Sequence, residues 1–112
     1  MSETPTAPVV ERVDARHRYE ILVDGKRAGV AAYRDRGAQR VFFHTEVDDA
    51  FAGQGLGAQL VQQALEDVRE SGKRIVPVCP YVAKFVQRHA EFADITDPAT
   101  PDVLRWLEAE LG

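Results

Sequence analysis

Along residues 17–47 apolar and polar positions interleave over short distances, and two turn signals cut the stretch into three segments. Asp24-Gly25-Lys26 reads as a hairpin turn, because glycine tolerates the positive φ such turns need. Asp35 to Gln39 reads as a second, looser turn. Strands are predicted near 17–23, 27–34 and 40–47. In the first, Tyr19, Ile21 and Val23 share one face, as a half-buried strand requires. In the third, Val41, Phe42 and Phe43 are consecutive and bulky, which predicts cover on both faces. The period then changes. Leu56, Leu60, Val61, Ala64, Leu65 and Val68 recur at helical spacing. They form the core-facing stripe of a helix over about 54–71, with Gly72 as its left-handed stop.

A short apolar strand follows in "RIVPVCP", residues 74–80. A strand, a helix and a strand in that order predict a right-handed crossover, with the last strand parallel to the third. Pro80 suits the first turn of another helix, "YVAKFVQRHAEF", in which Val82, Phe85, Val86 and His89 share a face. The tail carries a last helix. Thr100 is its predicted N-cap and Pro101 its first residue, with Leu104, Leu107 and Leu111 inward and Trp106 at the edge. The class is α/β with a mixed sheet: an antiparallel three-strand meander, a glycine turn, a long helix, a parallel strand and further helices. Residues 1–12, rich in Pro and Thr, are predicted as a flexible arm, and 13–112 as a single domain.

The chain of 112 residues is long enough for one core and too short for two. A net charge of −4 carries no overall basic footprint for nucleic acid. No apolar run approaches a membrane span, and the first residues lack the basic-then-apolar order of a signal peptide. A cytoplasmic protein with neither nucleic-acid nor membrane partners is expected. Cys79 is the single cysteine, so an intramolecular disulfide and a cysteine-rich zinc site are excluded. His17, His44 and His89 are scattered, so no metal is expected.

The chemistry begins at "GQGLG", residues 53–57, directly after a strand and at the start of the long helix. A helix start presents free N–H groups and the positive end of a dipole, and glycines let an anion approach that backbone. The turn lacks the P-loop lysine pattern. It also lacks the βαβ setting of a dinucleotide fingerprint, because hairpin strands precede it. On the glycines alone, a tight turn for close helix packing is the favoured reading, since short glycine motifs recur by chance.

The neighbours of the turn add specificity. The order strand, "AGQGLGAQLVQQAL", short strand resembles the acetyl-CoA-binding core of the GCN5-related N-acetyltransferases, over roughly residues 17–93. It is most similar to a small branch with an "HTEV" strand end, here His44 to Val47, and a "CPYVAKF" segment, here Cys79 to Phe85. The resemblance implies acetyl-CoA as cofactor. It implies that the backbone N–H groups of Gly53, Gln54, Gly55, Leu56, Gly57 and Ala58 hold the pyrophosphate, and that the Val47 N–H polarises the thioester carbonyl. Two positions depart from the family pattern. The Arg or Gln expected before the glycines is Ala52, and the tyrosine that often protonates the thiolate aligns with Gln87.

Transfer to an amine also needs a base and an acid. Cys79, at the predicted strand-to-helix junction, is either a nucleophile with a helix start beside it or a small packing residue. His44 and Glu46, two apart on one strand, share a face; they are either a base with its orienting carboxylate or a solvated pair. Lys84 and Arg88, one turn apart, either meet coenzyme phosphates or form a solvated face. The expected function is acetyl transfer to a primary amine, on a small molecule or a protein. The alternative is a non-catalytic acyl-CoA-binding or sensor module. A third class is a protein-interaction domain with a vestigial pocket. The acceptor and the oligomeric state are not legible.

Overall fold

The first turn forms as the sequence predicts. In the computed structural model, which describes residues 7–112, Asp24 and Gly25 both take positive φ, 51° and 78°. That geometry matches the right-handed twist of the flanking strands. They are β2 (Arg18–Val23) and β3 (Lys26–Arg36), and β4 (Gln39–Val47) follows antiparallel to β3. An edge strand, β1 (Val9–Val13), pairs antiparallel with β2. This corrects the arm predicted over 1–12: residues 9–12 belong to the sheet, and residues 1–6 lie outside the described residues. Beyond its backbone pairing, β1 is tied down by Arg12, which donates to Asp67 at 2.8 Å.

Two bulges re-aim the strands. Ala28 is the extra residue between β2 and β3, and Phe43 the extra one between β3 and β4. A bulge bends the strand and resets which side chains face which way. After Phe43, Val47 returns to the main core.

The helix α1 (Leu56–Glu70) buries all six residues of the predicted stripe. It ends in a Schellman motif: Gly72, at φ 72°, donates to Arg69 C=O, and Lys73 donates to Val68 C=O. The strand β5 (Arg74–Pro77) then pairs parallel with β4, giving the sheet order β1-β2-β3-β4-β5. The helix α2 (Pro80–Arg88) carries Pro80 in its first turn, and α3 (Pro101–Leu111) is capped by the Thr100 hydroxyl, which accepts from Val103 N–H.

Two apolar clusters sandwich the sheet. Tyr19, Ile21, Phe42, the α1 stripe, Val82, Phe85 and Phe92 fill one face. On the other, Val41 and Val76 meet Val103 and Leu107 of α3. The consecutive Val41 and Phe42 therefore serve opposite faces, as predicted. The inward face of α3 is a correction. Leu104 and Leu111 are 40% and 48% exposed, while Val103 and Leu107 are buried with Trp106 beside them. The second cluster is too narrow to cover more than one stripe of α3.

Among the described residues one charged side chain is buried. Arg40 is 4% exposed; it donates twice to Asp35, at 2.8 and 3.0 Å, donates to the Tyr19 hydroxyl at 2.7 Å, and stacks on Tyr33 at 4.2 Å. Burial opposes ionisation of Asp35, but the hydrogen bonds and charge of Arg40 outweigh it and hold that carboxyl below its usual range. Asp97 is also held low, first by the hydrogen bond from Gln39 and then by Arg74. A carboxylate with a depressed folded pKa stabilises fully above its unfolded value of about 3.9, and that stability is lost as pH falls through the folded value. The thermal midpoint is therefore expected to be flat from neutral pH to about 5 and to fall steeply below about 4. Asp97→Asn should shallow that acid limb in thermal melts across pH. An unchanged limb would remove Asp97 from the account.

Candidate active site

The glycine turn owes its shape to two residues that need positive φ, Gly53 at 83° and Gly55 at 70°. Gly55 is the N-cap of α1 and offers no side-chain cap. The chain enters through a short 3-10 turn, where Ala52 N–H still donates to Asp49 C=O. The next helical bond comes from Gln59 N–H to Gly55 C=O. Among the described residues, the six N–H groups from Gly53 to Ala58 donate to no protein acceptor. A Cβ at Gly53 or Gly55 would meet nothing within 4 Å, so the space above the turn is open. A run of free donors at the positive end of a 15-residue helix fits an anion, and it fits the pyrophosphate of coenzyme A. Ala52 adds no side-chain donor.

Beside the turn the sheet opens. The pairing of β4 with β5 ends at Phe42 and Pro77. Val78 and Cys79 N–H both donate to Phe42 C=O, at 3.0 and 2.8 Å, and the chain turns away into α2. Past that point β4 pairs with no strand on this side among the described residues. Asp48 N–H donates to Ala28 C=O at 2.7 Å, so Gly29 and Val47 face each other as a pair without mutual hydrogen bonds. The N–H of Val47 therefore points away from β3, toward the opening.

Cys79 is the N-cap of α2 and is 5% exposed. Its Sγ–H donates to Thr45 Oγ1 at 3.4 Å, which joins β4 to the start of α2 across the opening. His44 and Glu46 come together, with Nε2 3.5 Å from Oε2 and both side chains more than half exposed. They do not join Cys79. Thr45 touches Cys79 and Val47 packs in the same cluster, so alternation sends His44 and Glu46 to the opposite face. A cavity of about 400 Å³ opens beside Glu46 and Val47, and its lining also includes Gly29, Val30 and Arg18.

Tyr81 is a residue that sequence reasoning missed. It is 44% exposed, and its hydroxyl would lie 2.8 Å from a Cβ on Gly57. The third glycine thus admits Tyr81 and ties the start of α2 to the start of α1. Only the tertiary contact reveals this; the signal in the chain was a tyrosine inside "CPYVAKF". Gln87, Lys84 and Arg88 are exposed on α2. His89 stacks on Phe85 at 3.9 Å, a packing role. Among the described residues no His, Cys, Asp and Glu cluster could hold a metal ion, and no helix is long and apolar enough to cross a membrane.

Known proteins resemble this chain in sequence and in fold. The family model described as GCN5-related N-acetyl-transferase matches residues 18–95. The curated protein NATD1 from Bos taurus is 41% identical over 46 residues, and the match spans 41% of each chain, less than half the length of that relative. A GCN5-like protein from Staphylococcus aureus, solved by NMR, superposes with a TM-score of 0.62 at 19% identity. It covers 83% of this chain and 91% of its own. An IAA acetyltransferase from Bacillus cereus superposes at 0.50 with 17% identity, over 62% of this chain and 63% of its own. These two solved structures speak for the fold.

Proposed function

The chain belongs to the GCN5-related N-acetyltransferase family, and we propose that it transfers an acetyl group from acetyl-CoA to a primary amine. The observation that carries this reading is the continuous run of free N–H groups from Gly53 to Ala58, set beside the outward Val47 N–H. Acetyl-CoA supplies the activated acyl carbon. In the transfer a C–N bond forms and the thioester C–S bond breaks; the amine gives up a proton and the departing sulfur takes one. The six N–H groups hold the pyrophosphate. The Val47 N–H, fixed by its strand, stabilises negative charge on the carbonyl oxygen. His44, with Glu46 at 3.5 Å, accepts the amine proton. Tyr81 is the exposed phenol at this end of the sheet; Tyr19 and Tyr33 are buried and bonded to Asp67 and Asp14.

Cys79 positions rather than reacts in this reading. Its burial and its bond to Thr45 hold the edge of the opening, and direct transfer needs no acyl-enzyme. Calorimetric titration with acetyl-CoA and with CoA, followed by thiol-release assays with an amine panel, tests the proposal. Saturable binding of both and amine-dependent release are expected, and Cys79→Ala should keep at least about a tenth of the wild-type kcat, since losing a covalent nucleophile would cost far more. No binding at high micromolar coenzyme would sink the reading. Binding without release on any amine would replace it with a non-catalytic acyl-CoA-binding module, the reading that Ala52 favours.

A further inference from the structure

The face of the sheet opposite α1 is only partly covered. The α3 cluster reaches Val41 and Val76, while the other end of that face, over β2, β3 and the end of β4, carries a cavity instead. Its side chains follow from register and alternation. Tyr19 and Ile21 face the main core, as does Ala31, so Arg18, Glu20, Val30 and Ala32 point the other way. Two cross-strand rows result: Glu20–Val30–Glu46 and Arg18–Ala32–His44. Each row has a small apolar centre and charged or titratable ends.

The two ends differ in character. On the β2 side, two guanidiniums share one carboxylate. Glu20 Oε2 accepts from Arg18 Nε at 2.7 Å and lies 4.0 Å from Arg27 Nη1. Arg18 Nη2 is buried and also 2.7 Å from that same oxygen, without a well-aligned hydrogen bond. Glu11 stands across from Glu20 on the neighbouring strand, yet of this group only the two guanidiniums, Arg18 and Arg27, line the cavity. On the β4 side stands Glu46, with His44 as its partner, and Asp48 and Asp49 follow on the same rim. Strand spacing puts β2 and β4 about 10 Å apart, with Gly29 and Val30 of β3 lining the cavity between them.

We propose that this cavity is the acceptor site and that it takes a small zwitterion, an amine and a carboxylate separated by a short aliphatic chain. The carboxylate meets Arg18 and Arg27, the methylenes lie on Val30, and the amine meets Glu46 next to Val47, with His44 held against Glu46. The site rests on the acetyl-transfer reading for the fate of the amine, but not for its binding. A purely cationic diamine would leave the Arg wall facing a like charge, and a simple alkylamine would leave it unpaired.

The probes are 5-aminovalerate, cadaverine and pentylamine, matched in chain length, titrated into the 15N-labelled chain. 5-Aminovalerate is expected to shift the amides of Arg18, Val30 and Glu46. It should bind at least about tenfold tighter than either comparison amine, the effect of one charge-assisted hydrogen bond. Arg27→Gln, at an exposed position, should remove most of that advantage without a folding defect. Equal or tighter binding of cadaverine or pentylamine, shifts confined to other residues, or no shift at tens of millimolar overturns the proposal. Thiol release separates it from the parent reading. Zwitterion binding with no release on any amine leaves the site standing and sinks acetyl transfer. Release on other amines without zwitterion preference does the reverse.

Discussion

Replacing both Gly53 and Gly55 by valine is expected to weaken acetyl-CoA binding by about 100-fold or more while leaving the chain folded. Both residues hold positive φ, 83° and 70°, where a residue with a Cβ costs about 1–3 kcal/mol. Neither added Cβ would meet a protein atom within 4 Å, so the loss is backbone strain and not a clash in the core. The free turn relaxes, and rebuilding it falls on the binding step; about 2.8 kcal/mol over two residues is the expected 100-fold. Gly25→Val is the control. Gly25 has φ 78° and equally open space, but sits in the β2–β3 hairpin. It should lower stability by a similar increment per residue and leave coenzyme affinity where it was. Isothermal titration of both variants decides, and parallel losses of affinity would show the cradle to be unimportant.

The second large effect concerns Arg40. Arg40→Ala is expected to lower the thermal midpoint by about 10–15 °C. Removing one partner of a buried ion pair costs about 3–5 kcal/mol, and the low end applies because Asp35 is 35% exposed. For a chain of this size about 3 kcal/mol corresponds to that shift. The substitution strips Asp35 of two hydrogen bonds and the Tyr19 hydroxyl of one, and empties the space against Tyr33. Arg40→Met combined with Asp35→Asn should recover about half of the loss, since it removes the orphaned charge and refills the volume. A drop below about 3 °C for Arg40→Ala, in melts followed by circular dichroism, would contradict this description of the core.

The parts of the fold that were legible are those where local pattern and tertiary need agree. The α1 stripe, the Gly72 stop, the Asp24-Gly25 turn and the parallel β5 each carry their own signal in a few residues. Strand β1 did not. "VVERV" is short and follows a Pro- and Thr-rich stretch, and it is held by pairing with β2 and by Arg12 reaching Asp67. The inward face of α3 was ambiguous because Val103, Leu104, Leu107 and Leu111 allow two overlapping apolar stripes, and the narrow second cluster selects one. Arg40 reads as a surface charge until Asp35, Tyr19 and Tyr33 are placed around it.

The site divides in the same way. The family resemblance around the glycine turn pointed to the six N–H groups that donate to no protein acceptor, and spacing by two placed His44 and Glu46 together. That Cys79 lies on the other face of β4 depends on the Phe43 bulge, which leaves no mark in composition. The contact of Tyr81 with Gly57 joins two helix starts far apart in sequence.

In the proposed complex, backbone donors of the glycine turn hold coenzyme A beside the Val47 N–H. Amide shifts of the 15N-labelled chain during titration with acetyl-CoA test it residue by residue. Saturable shifts are expected, largest at Gly53 to Ala58 and at Val47, with the Gly25 hairpin unmoved. Absence of shifts at millimolar acetyl-CoA, or shifts that spare the glycine turn, would contradict it.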